Sequence, residues 1–167
     1  MIVLVGFMGA GKTTVGRLLA TRLGLPFTDT DVTIAQREGV PVSRIFAERG
    51  EAAFRALEAE TIASLLAGPR LVLALGGGAV EHEQTRRVLK VAEHVIYLHV
   101  PYEVALDRIG GDDGRPMLLR PDLTEIYRQR LAVYQQVATV TVQTEGRLAD
   151  HVCADIVQRL TGAQAAR

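Results

Sequence analysis

Three short stretches hold residues whose types and spacing could do chemistry. The first is "GFMGAGKT", residues 6–13, which matches G-x-x-x-x-G-K-[ST] in full. It follows the apolar run "IVLV" (2–5) and opens a helical pattern, the context in which that motif has physical meaning. Its glycines let the backbone curl until several N–H groups face one anion, and the helix N-terminus adds its positive end. Gly9, Ala10, Gly11, Lys12, Thr13 and Thr14 are therefore expected to hold a nucleoside triphosphate. Lys12 would reach the outer phosphates, and the Thr13 hydroxyl is placed to coordinate Mg²⁺.

The second stretch is "PFTDTD" (26–31), which ends in two aspartates one residue apart. On a strand, Asp29 and Asp31 would share one face at a separation of roughly 6–7 Å. Motor and helicase-type ATPases place a carboxylate after an apolar strand to hold the metal's water shell, but "LVLALGGG" (71–78) carries no acid. Asp29 is then the best-placed carboxylate for Mg²⁺, acting through water. Asp31 is either a helix N-cap ahead of "VTIAQRE" or an acceptor for a substrate hydroxyl.

The third stretch is Gly76, Gly77 and Gly78. It is either a tight turn or a place where a ligand comes close to bare backbone N–H groups.

The elements that must position these residues alternate between strand and helix. Strands are expected at 2–5, 26–29, 71–75, 94–100 and 140–144, with helical patterns between them. Continuous apolar runs such as "LVLAL" suit parallel strands buried on both faces. The expected fold is α/β: a three-layer P-loop fold with a five-stranded parallel sheet and helices on both faces. Ligands of such sheets bind at the C-terminal strand ends, where all three stretches would meet. The whole of 1–167 reads as one domain with two interruptions. Residues 32–67 insert two or three helices, and 110–121, "GGDDGRPMLLRP", are rich in glycine, proline and charge. These are the expected substrate-binding segment and lid.

Composition excludes several function classes. A formal net charge of zero gives no electrostatic footprint for nucleic acid or an anionic membrane. The chain has no asparagine, so it cannot carry the Asn-Lys-x-Asp guanine motif of switch GTPases. Cys153 is the single cysteine and reads as helix packing, which excludes an internal disulfide. The opening "MIVLVGF" is too short for a signal sequence or membrane span, and a cytoplasmic setting is expected.

The chain is identified by resemblance with the shikimate kinase family, among the small P-loop kinases that include adenylate and gluconate kinases. The matching stretches are "GFMGAGKTT" (6–14), "DTD" (29–31), "GVPVSRIFAERGEAAFRALE" (39–58), "LALGGGAV" (73–80), "GRPML" (114–118) and "RQRLAVYQQVA" (128–138). The resemblance implies transfer of the γ-phosphoryl of MgATP to the 3-hydroxyl of shikimate. It implies ATP and shikimate as small-molecule partners, Mg²⁺ as cofactor, no nucleic acid or membrane partner, and a monomer. Asp31 would bind the reacting hydroxyl, while Asp29 serves the metal shell. Arg55, steadied by Glu58, and Arg130 would take the substrate carboxylate, an arrangement the planar guanidinium suits. Phe46 and Phe54 would wall the substrate ring or belong to the core. Gly76, Gly77 and Gly78 would offer backbone to the substrate.

Arg115, on the lid, would reach the transferring phosphoryl after closure, and Arg108 would stack on adenine. The stretch "QTEGRLA" (143–149) corresponds in place to the family's adenine loop but lacks the asparagine or proline often found there. Arg147 is the candidate it offers. The alternatives are a kinase for another small hydroxy acid or a nucleoside monophosphate, and a non-catalytic relative that binds nucleotide or shikimate. Lys12, Thr13, Asp29, Asp31 and Arg115, all present, weigh against the last.

Overall fold

A computed structural model describes residues 1–109 and 121–165 of the chain. Five strands form one sheet: β1 (Ile2–Val5), β2 (Phe27–Asp29), β3 (Val72–Ala74), β4 (His94–His99) and β5 (Val140–Gln143). All pairs are parallel and the order is β2-β3-β1-β4-β5. Helices cover both faces, as expected from the continuous apolar strands: every residue of β1 and β3 is buried. β1 lies between β3 and β4, so the chain leaves its C-terminal end at the point where the strand order reverses. A crevice opens there in sheets of this kind, and the phosphate motif follows directly.

Seven α-helices are described: α1 (Lys12–Leu23), α2 (Thr30–Glu38), α3 (Val42–Leu66), α4 (Glu83–Leu89), α5 (Tyr102–Ile109), α6 (Leu123–Val137) and α7 (Ala149–Ala165). A 3₁₀ turn, Ala79–Glu81, joins β3 to α4. Helix α1 stops at Gly24, which takes the left-handed conformation that glycine adopts without strain. α3 is broken at Gly50, whose φ of 79° and ψ of 169° lie outside the helical region and exclude most side chains. The chain therefore changes direction sharply at that glycine within one element.

The main core gathers β1, β3 and β4 with α1, α6 and α7; Cys153 is part of it, as expected. A separate small core joins Ile34, Ile45 and Phe54, with Phe46 packed against it. It gives the inserted helices α2 and α3 their own anchor beside the sheet.

One expectation needs correction. Asp31 does not continue β2, because the chain turns helical at Thr30. Asp29, with φ −113° and ψ 130°, ends the strand and caps α2, accepting the Asp31 N–H at 3.0 Å. An N-cap carboxylate satisfies one of the helix's unpaired first N–H groups, and that local gain ends the strand at Asp29 instead of letting the alternation run on to Asp31. Asp29, not Asp31, is thus the capping residue. The lid expected over 110–121, with Arg115, falls on residues outside those described except at its last position.

Candidate active site

The ends of β1, β2 and β3 open on one cleft of about 780 Å³. Its lining includes Gly9, Gly11, Lys12, Thr13 and Thr14 from the phosphate motif, and Asp29 and Asp31 from the start of α2. Phe46, Phe54 and Arg55 come from α3, Gly76 to Gly78 from the β3 exit, Arg108 from α5 and Arg130 from α6. Residues far apart in sequence and read separately are therefore brought to one place.

The phosphate loop is held in its curl by its own chain. Lys12 Nζ donates to the carbonyls of Gly6 and Phe7, at 2.8 and 3.0 Å. The Ala10 N–H closes a turn on the Phe7 carbonyl at 3.2 Å, so Ala10 shapes the loop rather than lining the cleft. A Cβ on Gly9 would lie 2.6 Å from the Ala105 carbonyl, so the loop packs against α5 with no room for a side chain.

Thr13 and Asp29 form the next layer. The Thr13 hydroxyl donates to Asp29 Oδ2 at 2.9 Å, while Asp29 Oδ1 takes the Asp31 N–H. This is a pair of hard oxygen donors beside a lysine and a helix N-terminus. Mg²⁺ favours such donors, usually one or two from protein with the rest from water and phosphate. The donor set fits the expected metal.

Arg55, Glu58 and the triple glycine interlock. Arg55 Nη1 donates to Glu58 Oε2 at 2.6 Å, and Nη2 reaches Glu51 Oε1 at 3.5 Å. The guanidinium lies 5.7 and 5.4 Å from the ring centres of Phe46 and Phe54, which stand 4.4 Å apart. Phe54 is buried in the small core and Phe46 packs on its edge, and both rings line the cleft. A Cβ on Gly78 would run into Arg55, and one on Gly76 would come within 2.5 Å of Glu58 Oε1 and 2.9 Å of Asp31 Oδ1. The glycines leave room for these three side chains.

Gly77 has a different tie, its carbonyl accepting the Tyr134 hydroxyl at 2.5 Å. The Gly76 N–H donates to the buried Thr30 hydroxyl at 3.0 Å, linking the turn after β3 to the first residue of α2.

Arg130 is almost fully buried and donates to Glu81 Oε2 at 2.7 Å. Glu81 sits in the 3₁₀ turn that follows the glycines, whose carbonyls at Val80 and Glu81 accept Arg86 Nη1. Glu81 lies outside every motif and Thr30 is only the spacer within "DTD", and the contacts of both arise from residues distant in sequence.

Electrostatics single out Glu58. Burial pushes its carboxyl up to about 7, against the pull of Arg55, and Asp31 adds to the rise. Arg55 keeps its charge firmly: burial works against it, but Glu58 and then Glu51 more than offset that. Burial likewise raises the Tyr134 hydroxyl, keeping it a neutral donor to Gly77.

On the nucleotide side, Arg108 donates to the Gly9 carbonyl at 3.2 Å and to the Thr144 hydroxyl and carbonyl at 3.1 and 2.7 Å. It ties the phosphate loop to the end of β5. Arg147 is not among the cleft residues; its guanidinium holds Asp155 Oδ2 at 3.0 Å and the carbonyls of Gln143 and His151.

Comparisons with known proteins bear on the family and the fold. The family model described as shikimate kinase matches residues 8–161. A shikimate kinase of Thermobifida fusca is 48% identical over 166 residues, 98% of this chain and 96% of the relative. The structure of shikimate kinase from Acinetobacter baumannii in complex with shikimate superposes with a TM-score of 0.90 at 38% identity, covering 97% of this chain and 93% of the other. Shikimate kinase from Aquifex aeolicus gives 0.87 at 34% identity, over 98% and 97%.

Proposed function

The chain belongs to the shikimate kinase family, and from that premise we propose how its own residues perform the reaction. The protein is an ATP-dependent kinase that transfers a phosphoryl group to shikimate. The observation that carries the assignment of roles is the convergence of the phosphate loop, Asp31, Arg55 and Arg130 on one cleft.

The triphosphate lies in the loop of Gly9 to Thr14, with its outer phosphates toward Lys12. Lys12 Nζ leaves the Gly6 and Phe7 carbonyls for the phosphate oxygens, exchanging partial charges for full ones. Thr13 and Asp29 would hold Mg²⁺, Asp29 through water. When bound, the metal supplies charge neutralisation across the phosphates. Arg108 sets the base side of the site. Arg147, tied to α7, is a candidate for adenine contact only through its backbone neighbourhood.

Shikimate lies between the fork of Arg55 with Arg130 and the carboxylate of Asp31. The arginines bind its carboxylate, the Phe46 and Phe54 walls face its ring, and Gly76, Gly77 and Gly78 let it approach the backbone. Asp31 orients the 3-hydroxyl in line with the γ-phosphorus and takes its proton. Phosphoryl transfer needs placement and charge stabilisation above all, and these residues provide both without a covalent intermediate. Arg115 completes the charge stabilisation from the lid over 110–121, with 32–67 as the substrate-binding segment of a single kinase domain. The protein works as a cytoplasmic monomer in this reading; no described helix is long and apolar enough to cross a membrane.

The test offers shikimate, gluconate and nucleoside monophosphates separately with ATP and Mg²⁺ and follows ADP. ADP formation with shikimate alone supports the reading. Equal turnover with gluconate or a nucleotide would sink the carboxylate clamp as the specificity device.

A further inference from the structure

The two clamp arginines already face carboxylates of the chain. Arg55 holds Glu58 at 2.6 Å and lies 3.5 Å from Glu51, and Arg130 holds Glu81 at 2.7 Å. Asp31 adds negative charge from α2, while Tyr134 from α6 stays neutral. A substrate carboxylate arriving on these guanidiniums therefore brings a negative charge to two cations that each already hold an acid among the described residues. Either an acid must move away or one must take up a proton.

Glu51 and Glu81 have the first route, since their side chains are 47% and 38% exposed and can turn to water. Glu58 does not, because its side chain is 1% exposed and sits between Arg55 and the Gly76 backbone. Its Oε1 has no hydrogen-bond partner among the described residues. The same oxygen and Asp31 Oδ1 close on one point above Gly76, at 2.5 and 2.9 Å from the place a Cβ would occupy. A buried carboxylate oxygen without a donor, facing a second carboxylate, is where a proton relieves most. The carboxyl is already poised for it, raised to about 7 by burial against the pull of Arg55.

We propose that shikimate binding is coupled to proton uptake at Glu58. As the substrate carboxylate takes over Arg55, Glu58 loses much of its share of that cation and receives a proton from solvent on Oε1. One proton passes from water or buffer to one carboxylate, and no bond of the substrate changes. The protonated Oε1 becomes a donor toward Asp31, so a clash of two acids turns into a contact that steadies the residue facing the reacting hydroxyl. Glu58 is thus a positioning residue that acts through Arg55 and Asp31. The inference rests on shikimate being the ligand of this cleft.

Calorimetric titration of shikimate into the full chain tests it, at pH 7.5 in HEPES and in Tris, whose protonation heats differ. The expected result is a buffer-dependent heat equivalent to roughly half a proton or more per site. Affinity should weaken above pH 7, approaching about tenfold per pH unit, as one linked proton requires. Glu58→Gln keeps an oxygen for Arg55 but cannot take a proton; it should bind with equal heats in both buffers and with pH-independent affinity. Shikimate binding by the wild type with equal heats in both buffers overturns the proposal, as does uptake that survives in Glu58→Gln. Infrared difference spectra of the wild type keep the test valid if that variant does not fold. A protonated carboxyl band must appear when shikimate is added, and its absence is a refutation. No binding of shikimate at all would overturn the ligand assignment itself, and the coupling with it.

Discussion

The guanidinium of Arg55 occupies the space over Gly78 that any larger residue would need for its side chain, since a Cβ there would stand 2.6 Å from Arg55 Cζ. The triple-glycine exit of β3 and the arginine proposed to bind the substrate carboxylate are therefore packed as one unit. Gly78→Ala must displace Arg55, and α3 backbone cannot follow because Phe54 is fixed in the small core. The KM for shikimate should rise about tenfold or more, with the KM for ATP changed less than about twofold. Steady-state kinetics with each substrate varied in turn check this, and an unchanged shikimate KM would separate the glycines from the clamp.

Asp29 and Asp31 should fail in different ways. Asp29 binds Thr13 and caps α2, while Asp31 lines the cleft beside Gly76. Both alanine variants should lose most of kcat, by roughly 100-fold or more. Only Asp31→Ala should also markedly weaken shikimate binding measured without nucleotide. Asp29→Ala should in addition cost about 1 kcal/mol of stability through the lost N-cap. Equal loss of shikimate affinity in both would argue against dividing the pair between metal and substrate.

Arg115 acts, in this account, only when the lid has closed on a reacting complex. Arg115→Ala should then lower kcat by about 100-fold or more and leave shikimate affinity nearly intact. A parallel loss of ground-state binding would make it a substrate clamp instead.

Glu58 also links stability to pH. Its folded-state value of about 7 lies above the ordinary 4.5, so the folded chain holds this proton more tightly than the unfolded chain. Its contribution is fully present below pH 4.5 and is lost as pH rises through about 7. The loss amounts to about 3 kcal/mol across that window. The stability of the wild type minus that of Glu58→Gln, from urea unfolding at pH 4.5 to 8, should fall with rising pH. A flat difference would show that Glu58 has the same proton affinity in both states.

The sequence carried the sheet and the phosphate loop plainly, because both are written in contiguous residues. β1 and the motif after it are adjacent, and the buried strands are uninterrupted apolar runs. The stop at Gly24 and the break at Gly50 were likewise local. Asp31 was misplaced because period-two alternation across "DTD" takes no account of capping, and the Asp29 side chain turns the chain helical at Thr30. Arg55 on its own reads as part of a salt-bridged surface helix, since its glutamate neighbours look solvated; only the fold buries Glu58. The Arg130–Glu81 and Arg108–Thr144 contacts join residues 49 and 36 positions apart, which no local pattern reveals.

The most direct measurement is the identity of the product. The purified chain, incubated with ATP, Mg²⁺ and shikimate, should yield ADP and a single phosphorylated product in equal amounts. Two-dimensional phosphorus–proton NMR should place the phosphorus on the carbon-3 oxygen, the hydroxyl that Asp31 is assigned to orient. Phosphate on another hydroxyl, or ADP released without a phosphorylated shikimate, would contradict the account.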